Sequence, residues 1–302
     1  MPLRSLFRPA TLAAAILSLC AGASQAITLI GLTSANEIAR IDTQSMADSR
    51  VAITGLSMPG ERLVGLDTRP SDGMLYGVST ANKIYTLDAM SGMATWRADL
   101  SAPVIVASRG YGIDFNPVAD YNGATSLRLV SSAGDNFAIN ANSGVVGNAA
   151  NKIASGYSAV AYTNSMPLMP PAPASTALYY IDSQSDMLRR ASGAFNTPTI
   201  TDVGALGIDV LRANGFDIAG NGMAYAALTL DDASLATGIY RIDLASGQAS
   251  LLRQYQGTLG GLTVSAVPEP GTWAMLCAGL AWVGLSAWRR RHPASASAMP
   301  QA

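Results

Sequence analysis

Four aspartates, Asp67, Asp114, Asp209 and Asp217, each stand two residues after a glycine, and they are the residues of this 302-residue chain best placed to do chemistry. Carboxylates gathered around one axis hold a hard cation such as Ca²⁺ through oxygen ligands. A pair of them supplies the acid and base of glycoside hydrolysis. The other reading is architectural: each aspartate accepts from the backbone of a neighbouring unit and locks the fold. The residues favour this second reading, because repeated folds commonly carry one polar residue per unit for that purpose. Asp67, Asp114 and Asp217 are therefore the candidate channel or ion residues, and no residue is assigned as catalytic. No cofactor is expected other than Ca²⁺.

The rest of the chain offers little competing chemistry. The single histidine, His292, lies in the C-terminal end, and the two cysteines, Cys20 and Cys277, lie in the two ends. The central body thus lacks the side chains for Ser-His-Asp or Cys-His catalysis and for most zinc, copper or haem ligation. No P-loop, dinucleotide fingerprint or EF-hand loop is present. The whole chain has 19 basic and 20 acidic residues, but Arg4, Arg8, Arg289, Arg290, Arg291 and Glu269 belong to the ends. The body keeps 14 basic and 19 acidic residues, a net charge of about −5. Its only lysines, Lys83 and Lys152, are far apart, so there is no basic stripe for nucleic acid.

A repeat must position the aspartates. A short alternating run ends in Ile or Leu, then come Asp or Asn, two variable residues, Ser and usually Gly. The copies are Asp42 with Ser45, Asp88 with Ser91 and Gly92, Asn140 with Ser143 and Gly144, Asp182 with Ser185, and Asp243 with Ser246 and Gly247. The steps between them are 46, 52, 42 and 61 residues, the range of propeller blades. An Asp or Asn at a strand end bonds backbone two residues on, and a later Gly closes the hairpin in the left-handed conformation. Four short alternating strands surround most copies, as in Gly65–Asp67, Leu75–Val78, Lys83–Leu87 and Ala94–Leu100. The first copy lacks an opening strand, and Gly261–Ser265 at the far end supplies one that closes the ring. The fold class is all-β: a propeller-like ring of about five four-stranded antiparallel blades over residues 27–266. Six blades, if the 61-residue step hides another, or a β-sandwich are the alternatives. Tyr121–Ser126 and the proline-rich Met166–Pro173 read as loops at blade edges, the latter a stiff surface excursion.

The two ends are addresses. Arg4 and Arg8 precede an apolar stretch and small residues ending at Ala26, a secretory signal peptide over residues 1–26 cut after Ala26. At the other end, residues 267–292 place Pro268, Glu269 and Pro270 before eighteen uncharged residues, 271–288, then Arg289, Arg290 and Arg291. That run is long enough for one transmembrane helix, with the arginines on the cytoplasmic side; residues 293–302 read as a disordered tail. The order of parts resembles the PEP-CTERM sorting signal of exported Gram-negative proteins. The resemblance implies an exosortase-type membrane protease as partner, cleavage near the Pro-Glu-Pro, and transient anchoring in the inner membrane before release to the cell surface, often among exopolysaccharide producers. Gly112–Pro117, Leu127–Val130 and Asn136–Gly144 resemble an uncharacterised bacterial family of domains of unknown function with propeller-like repeats, which implies the fold and no activity. The functional expectation is an exported, non-catalytic surface or matrix protein, binding or structural in an exopolysaccharide context. A hydrolase or lyase using the channel aspartates, alone or with Ca²⁺, is the alternative.

Overall fold

The alternating runs fold as antiparallel strands wherever one face finds a neighbouring sheet to cover it. The computed structural model describes residues 27–45 and 47–265, together with Gly279 and Trp282. The sequence-based signal peptide, its Ala26 boundary, the sorting signal at 267–292 and the tail therefore lie outside the described residues. Among the described residues no helix is long and apolar enough to cross a membrane.

Blade one contains β1 (Thr28–Thr33), β2 (Glu37–Asp42) and β3 (Asp48–Ala52). Blade two is β4 (Leu63–Thr68), β5 (Leu75–Ser79), β6 (Lys83–Leu87) and β7 (Ala94–Asp99). Blade three is β8 (Tyr111–Phe115), a short helix α1 (Pro117–Tyr121), then β9 (Ser126–Ser131), β10 (Asn136–Asn140) and β11 (Val146–Gly147). Blade four is β12 (Tyr157–Tyr162), β13 (Leu178–Asp182), β14 (Met187–Ala191) and β15 (Ile200–Ala205). Blade five is β16 (Val210–Ile218), β17 (Ala224–Leu230), β18 (Thr237–Ile242) and β19 (Ala249–Tyr255). The last strand, β20 (Leu259–Val264), returns to blade one and pairs antiparallel with β1, Ile30 opposite Thr263 and Gly31 opposite Leu262. All five sheets thus have four strands, and the closing strand is the one that the sequence assigns to that role.

The innermost strands β20, β4, β8, β12 and β16 each touch the next around the ring. The core lies between blades: Tyr76, Val78 and Ile84 of blade two pack on Ile113, Phe115 and Leu127 of blade three, and the other clusters likewise join adjacent sheets. Burying a side chain as fully as Ile84 or Leu127 contributes roughly 1.5–3 kcal/mol, so the ring is held by its inter-blade layers.

Every copy of the repeat makes its expected turn. The side chains of Asp42, Asp88, Asn140, Asp182 and Asp243 each accept the backbone N–H two residues on, at 2.8–3.0 Å. Gly144 has φ +74° and packs so tightly that a Cβ would meet the Asp99 carbonyl. The fourth copy is displaced, however. Asp42, Asp88, Asn140 and Asp243 stand at or just past the end of a third strand, whereas Asp182 ends the second strand of its blade, at the opposite end of the sheet. Counted instead from the end of β14, near Ser192, the two steps become about 52 and 51 residues. The 61-residue step hides no sixth blade, and neither six blades nor a sandwich is formed.

Two insertions also differ from expectation. The first is preceded by the helix α1, which ends on its Tyr121 and is begun by Asn116, whose side chain accepts from Ala119 N. The proline-rich stretch is fastened over the ring as well as exposed: Tyr121 Oη shares its one proton between the nearby Pro70 and Met166 carbonyls and accepts from Met169 N, and Leu168 N donates to Pro70 O.

Candidate functional site

Gly65, Gly112, Gly215 and Gly261 occupy the same place in four inner strands, two residues before Asp67, Asp114, Asp217 and Thr263. A Cβ on Gly112 would come within 2.8–3.0 Å of the Ser158, Ala159 and Val160 backbone, and one on Gly215 within 2.3 Å of Leu262 N. Missing side chains therefore let the inner strands approach closely, and the residues two steps on converge at the axis. The five equivalent positions read Thr263, Asp67, Asp114, Ala161 and Asp217 around the ring.

A rule connects them. The Phe115 N–H donates to Asp67 Oδ2 at 2.8 Å, the Val264 N–H to Asp217 Oδ2 at 2.6 Å, and the Thr68 N–H to Thr263 Oγ1 at 3.1 Å. The Tyr162 amide likewise favours the Asp114 carboxylate. Each donor directly follows the equivalent position in the next blade. Ala161 has no acceptor to offer, and the Ile218 N–H turns instead to Oδ1 of its own neighbour Asp217, at 2.6 Å. The architectural reading of the aspartates describes these bonds.

The convergence reading describes the same residues. Asp67, Asp114 and Asp217 are only 4%, 1% and 5% exposed, and one oxygen from each lies within 4.8 Å of the others. Burial pushes the Asp67 and Asp114 carboxyls well above the ordinary carboxylate range, and like charge adds to this: Asp217 acts on Asp67, and Asp67 and Asp217 act on Asp114. Asp217 is raised by burial, against the Val264 amide and Thr263 hydroxyl that favour its charge. Asp209 does not join them. It lies exposed just before β16, where its carbonyl accepts from Asp231 N.

Nearby, a strap closes the axis. Ser165 bridges Ala219, and Ser165 and Pro167 line a cavity of about 30 Å³ with Thr68, Asp217 and Val264. Alongside, buried Arg69 donates to Asp120 Oδ1 at 2.7 Å, Asn142 Oδ1 at 3.0 Å and Tyr76 Oη at 3.2 Å, tying α1 to blade two.

At the opposite end of the inner strands the ring opens into a funnel of about 600 Å³. Ser34, Thr80, Ser132, Ser158, Ser183 and Asn214 line it, with Arg62, Arg109 and Arg212, and among the described residues no Asp or Glu is in its wall. These arginines stand five residues before Asp67, Asp114 and Asp217. Arg62 donates to the Ser34 carbonyl, and Arg109 pairs with Asp135 at 2.6 Å. Among the described residues, Arg212 is exposed and gives its guanidinium to no protein acceptor. The funnel escapes a reading of overall charge because the body is acidic. The spacing Arg-x₄-Asp, present in three blades, is the signal that would have revealed it.

Several solved structures are similar to this chain. They include a nidogen/laminin complex, at 12% identity over 80% of this chain and 98% of that chain, with a TM-score of 0.43. The calcium-binding protein regucalcin of Agrobacterium tumefaciens is 14% identical over 74% and 68%, with a TM-score of 0.38. A protein of unknown function from Bacteroides thetaiotaomicron is 12% identical over 76% and 58%, with a TM-score of 0.42. At such scores the likenesses carry nothing about ligand or chemistry. No curated protein matched the chain. The model of the PEP-CTERM protein-sorting motif matches residues 266–291, and marks the chain as an extracellular protein sorted at the membrane by an exosortase. The model of a domain of unknown function, DUF4394, matches residues 29–263, nearly the whole propeller, and the chain belongs to that family.

Proposed function

We propose that the exported propeller is a non-catalytic binding protein of the cell surface or extracellular matrix, and that it holds an acidic exopolysaccharide in its axial funnel. The observation that carries this reading is the wall of the funnel: three arginines, seven serines or threonines and, among the described residues, no carboxylate. Guanidinium groups pair with carboxylate or sulfate groups through planar, often bidentate bonds, and hydroxyls suit sugar oxygens. The unpaired Arg212 has its donors available.

Catalysis by the aspartates fits the geometry less well. A glycosidase holds its two carboxyls on either side of the scissile bond, at least ~5 Å apart and open to substrate. Here the three carboxylates are buried and bonded to the ring that holds them.

The test is binding of the exported protein to alginate, a polyuronate, against neutral dextran. Alginate should bind and dextran should not, and Arg212→Ala should weaken alginate binding about tenfold, the ~1.4 kcal/mol within reach of a charge-assisted contact. Equal binding of both polymers, or of neither, contradicts the proposal.

A further inference from the structure

The axial aspartates carry more negative charge than their protein neighbours satisfy. Thr263 has one hydroxyl proton, yet its Oγ1 stands 2.8 Å from Asp67 Oδ1 and 2.9 Å from Asp217 Oδ2 while accepting the Thr68 N–H. One proton satisfies one of those two contacts and leaves the other as two facing oxygens. A separate deficit lies at Asp114, whose buried Oδ1 has no hydrogen-bond partner. No lysine or arginine among the described residues donates to the three carboxylates. Arg128, opposite Asp114 in the β8–β9 pairing, turns its guanidinium to Tyr162 Oη, Asn136 and Asn196. A buried oxygen left without a partner is unfavourable, more so when charged, and a positive species in the cluster resolves the deficit.

We propose that Asp67, Asp114 and Asp217 bind a single calcium ion on the propeller axis. Calcium takes carboxylate, hydroxyl and water oxygens at about 2.3–2.6 Å, so oxygens sharing one ion stand at most about 5 Å apart. The three carboxylates meet that limit without rearrangement. Thr263 Oγ1 offers a neutral oxygen, and the adjoining 30 Å³ cavity beside Asp217 and Thr68 has room for about one water. Magnesium, which keeps several of its waters, has no space for them there. The ring-locking bonds and the ion are compatible: Asp67 uses Oδ2 on the next blade's amide and turns Oδ1 to Thr263, while Asp217 Oδ2 takes the Val264 amide and also faces Thr263, a carboxylate oxygen having lone pairs for both. Bound there, the ion would tie blades two, three and five together beneath the strap.

The exported protein, stripped with EGTA, is titrated with Ca²⁺ by calorimetry and melted with and without it. One ion per chain should bind, and Ca²⁺ at about a hundred times its Kd should raise Tm by roughly 5–10 °C. Asp114→Asn keeps the side chain's size and an acceptor for the Tyr162 amide while removing one charge. It should abolish the rise, and its stripped form should melt no lower than stripped wild type because a like charge has gone. The facing titratable groups are the three aspartates and Tyr162, which burial keeps neutral. With their folded-state pKa values raised, the aspartates favour the stripped fold in acid, and that stability is lost as pH rises through the raised range. Absence of calcium binding by stripped wild type overturns the proposal even if the variant fails to fold. A rise that survives Asp114→Asn places the ion elsewhere and also overturns it.

Discussion

Gly112 and Asp114 show how single residues set the width of the axis. Gly112 lies against the backbone of Ser158, Ala159 and Val160, and the Asp114 carboxylate two residues on faces Asp67 and Asp217. A methyl group at Gly112 must push β8 away from β12, because its contacts are main chain with no rotamer to yield. Gly112→Ala should cost about 1–3 kcal/mol, seen as a lower urea midpoint with an unchanged slope. No loss would mean that the inner strands are less closely held than described. The sequence shows the glycine and the aspartate two residues apart, and it suggests the bond to the next blade. It does not show that both statements about the aspartates hold at once, because convergence depends on how closely the strands pack. Nor does the pattern mark Thr263 or Ala161 as members of the same ring, since neither is acidic. Asp209 has the same spacing after glycine but precedes its strand, so spacing alone misassigns it.

At the scale of elements, the Asx turns are legible because the whole device is local: one side chain and the backbone two residues away. The fourth copy fails for that same reason. Asp182 makes the identical turn after β13 that others make after a third strand, and no local signal distinguishes the two ends of a blade. Helix α1 goes unmarked in the sequence, and the proline-rich strap reads only as a stiff surface excursion, because what organises them is tertiary. Asp120 is buried against Arg69, and Tyr121 Oη holds three backbone groups of blade two and the strap. Asp120→Asn should leave the Arg69 charge buried without its carboxylate, although Asn142, Asp72 and Tyr76 still surround it. The expected cost is about 3 kcal/mol, at the lower end for a broken buried pair because of those partners. Urea denaturation measures it, and a change below about 0.5 kcal/mol would mean that the pair contributes little.

The whole molecule is a ring with two different ends, and the inner strands give each end its chemistry. Five residues of extended chain span about 16 Å, so arginines five positions before the axial aspartates place basic and acidic groups at opposite mouths. The closing strand β20 completes both, contributing Gly260 to the funnel and Thr263 to the carboxylates. Five-blade closure is readable because the first copy of the repeat lacks an opening strand and Gly261–Ser265 matches the missing one. The funnel is not, because its arginines come from three blades within an acidic body. The most direct measurement is the affinity of the exported protein for alginate oligosaccharides over a range of salt, for wild type, Arg212→Ala and Asp114→Asn. The account predicts weaker binding and a shallower salt dependence for Arg212→Ala, with Asp114→Asn unchanged. Binding lost in Asp114→Asn and kept in Arg212→Ala would put the ligand at the carboxylates and contradict it.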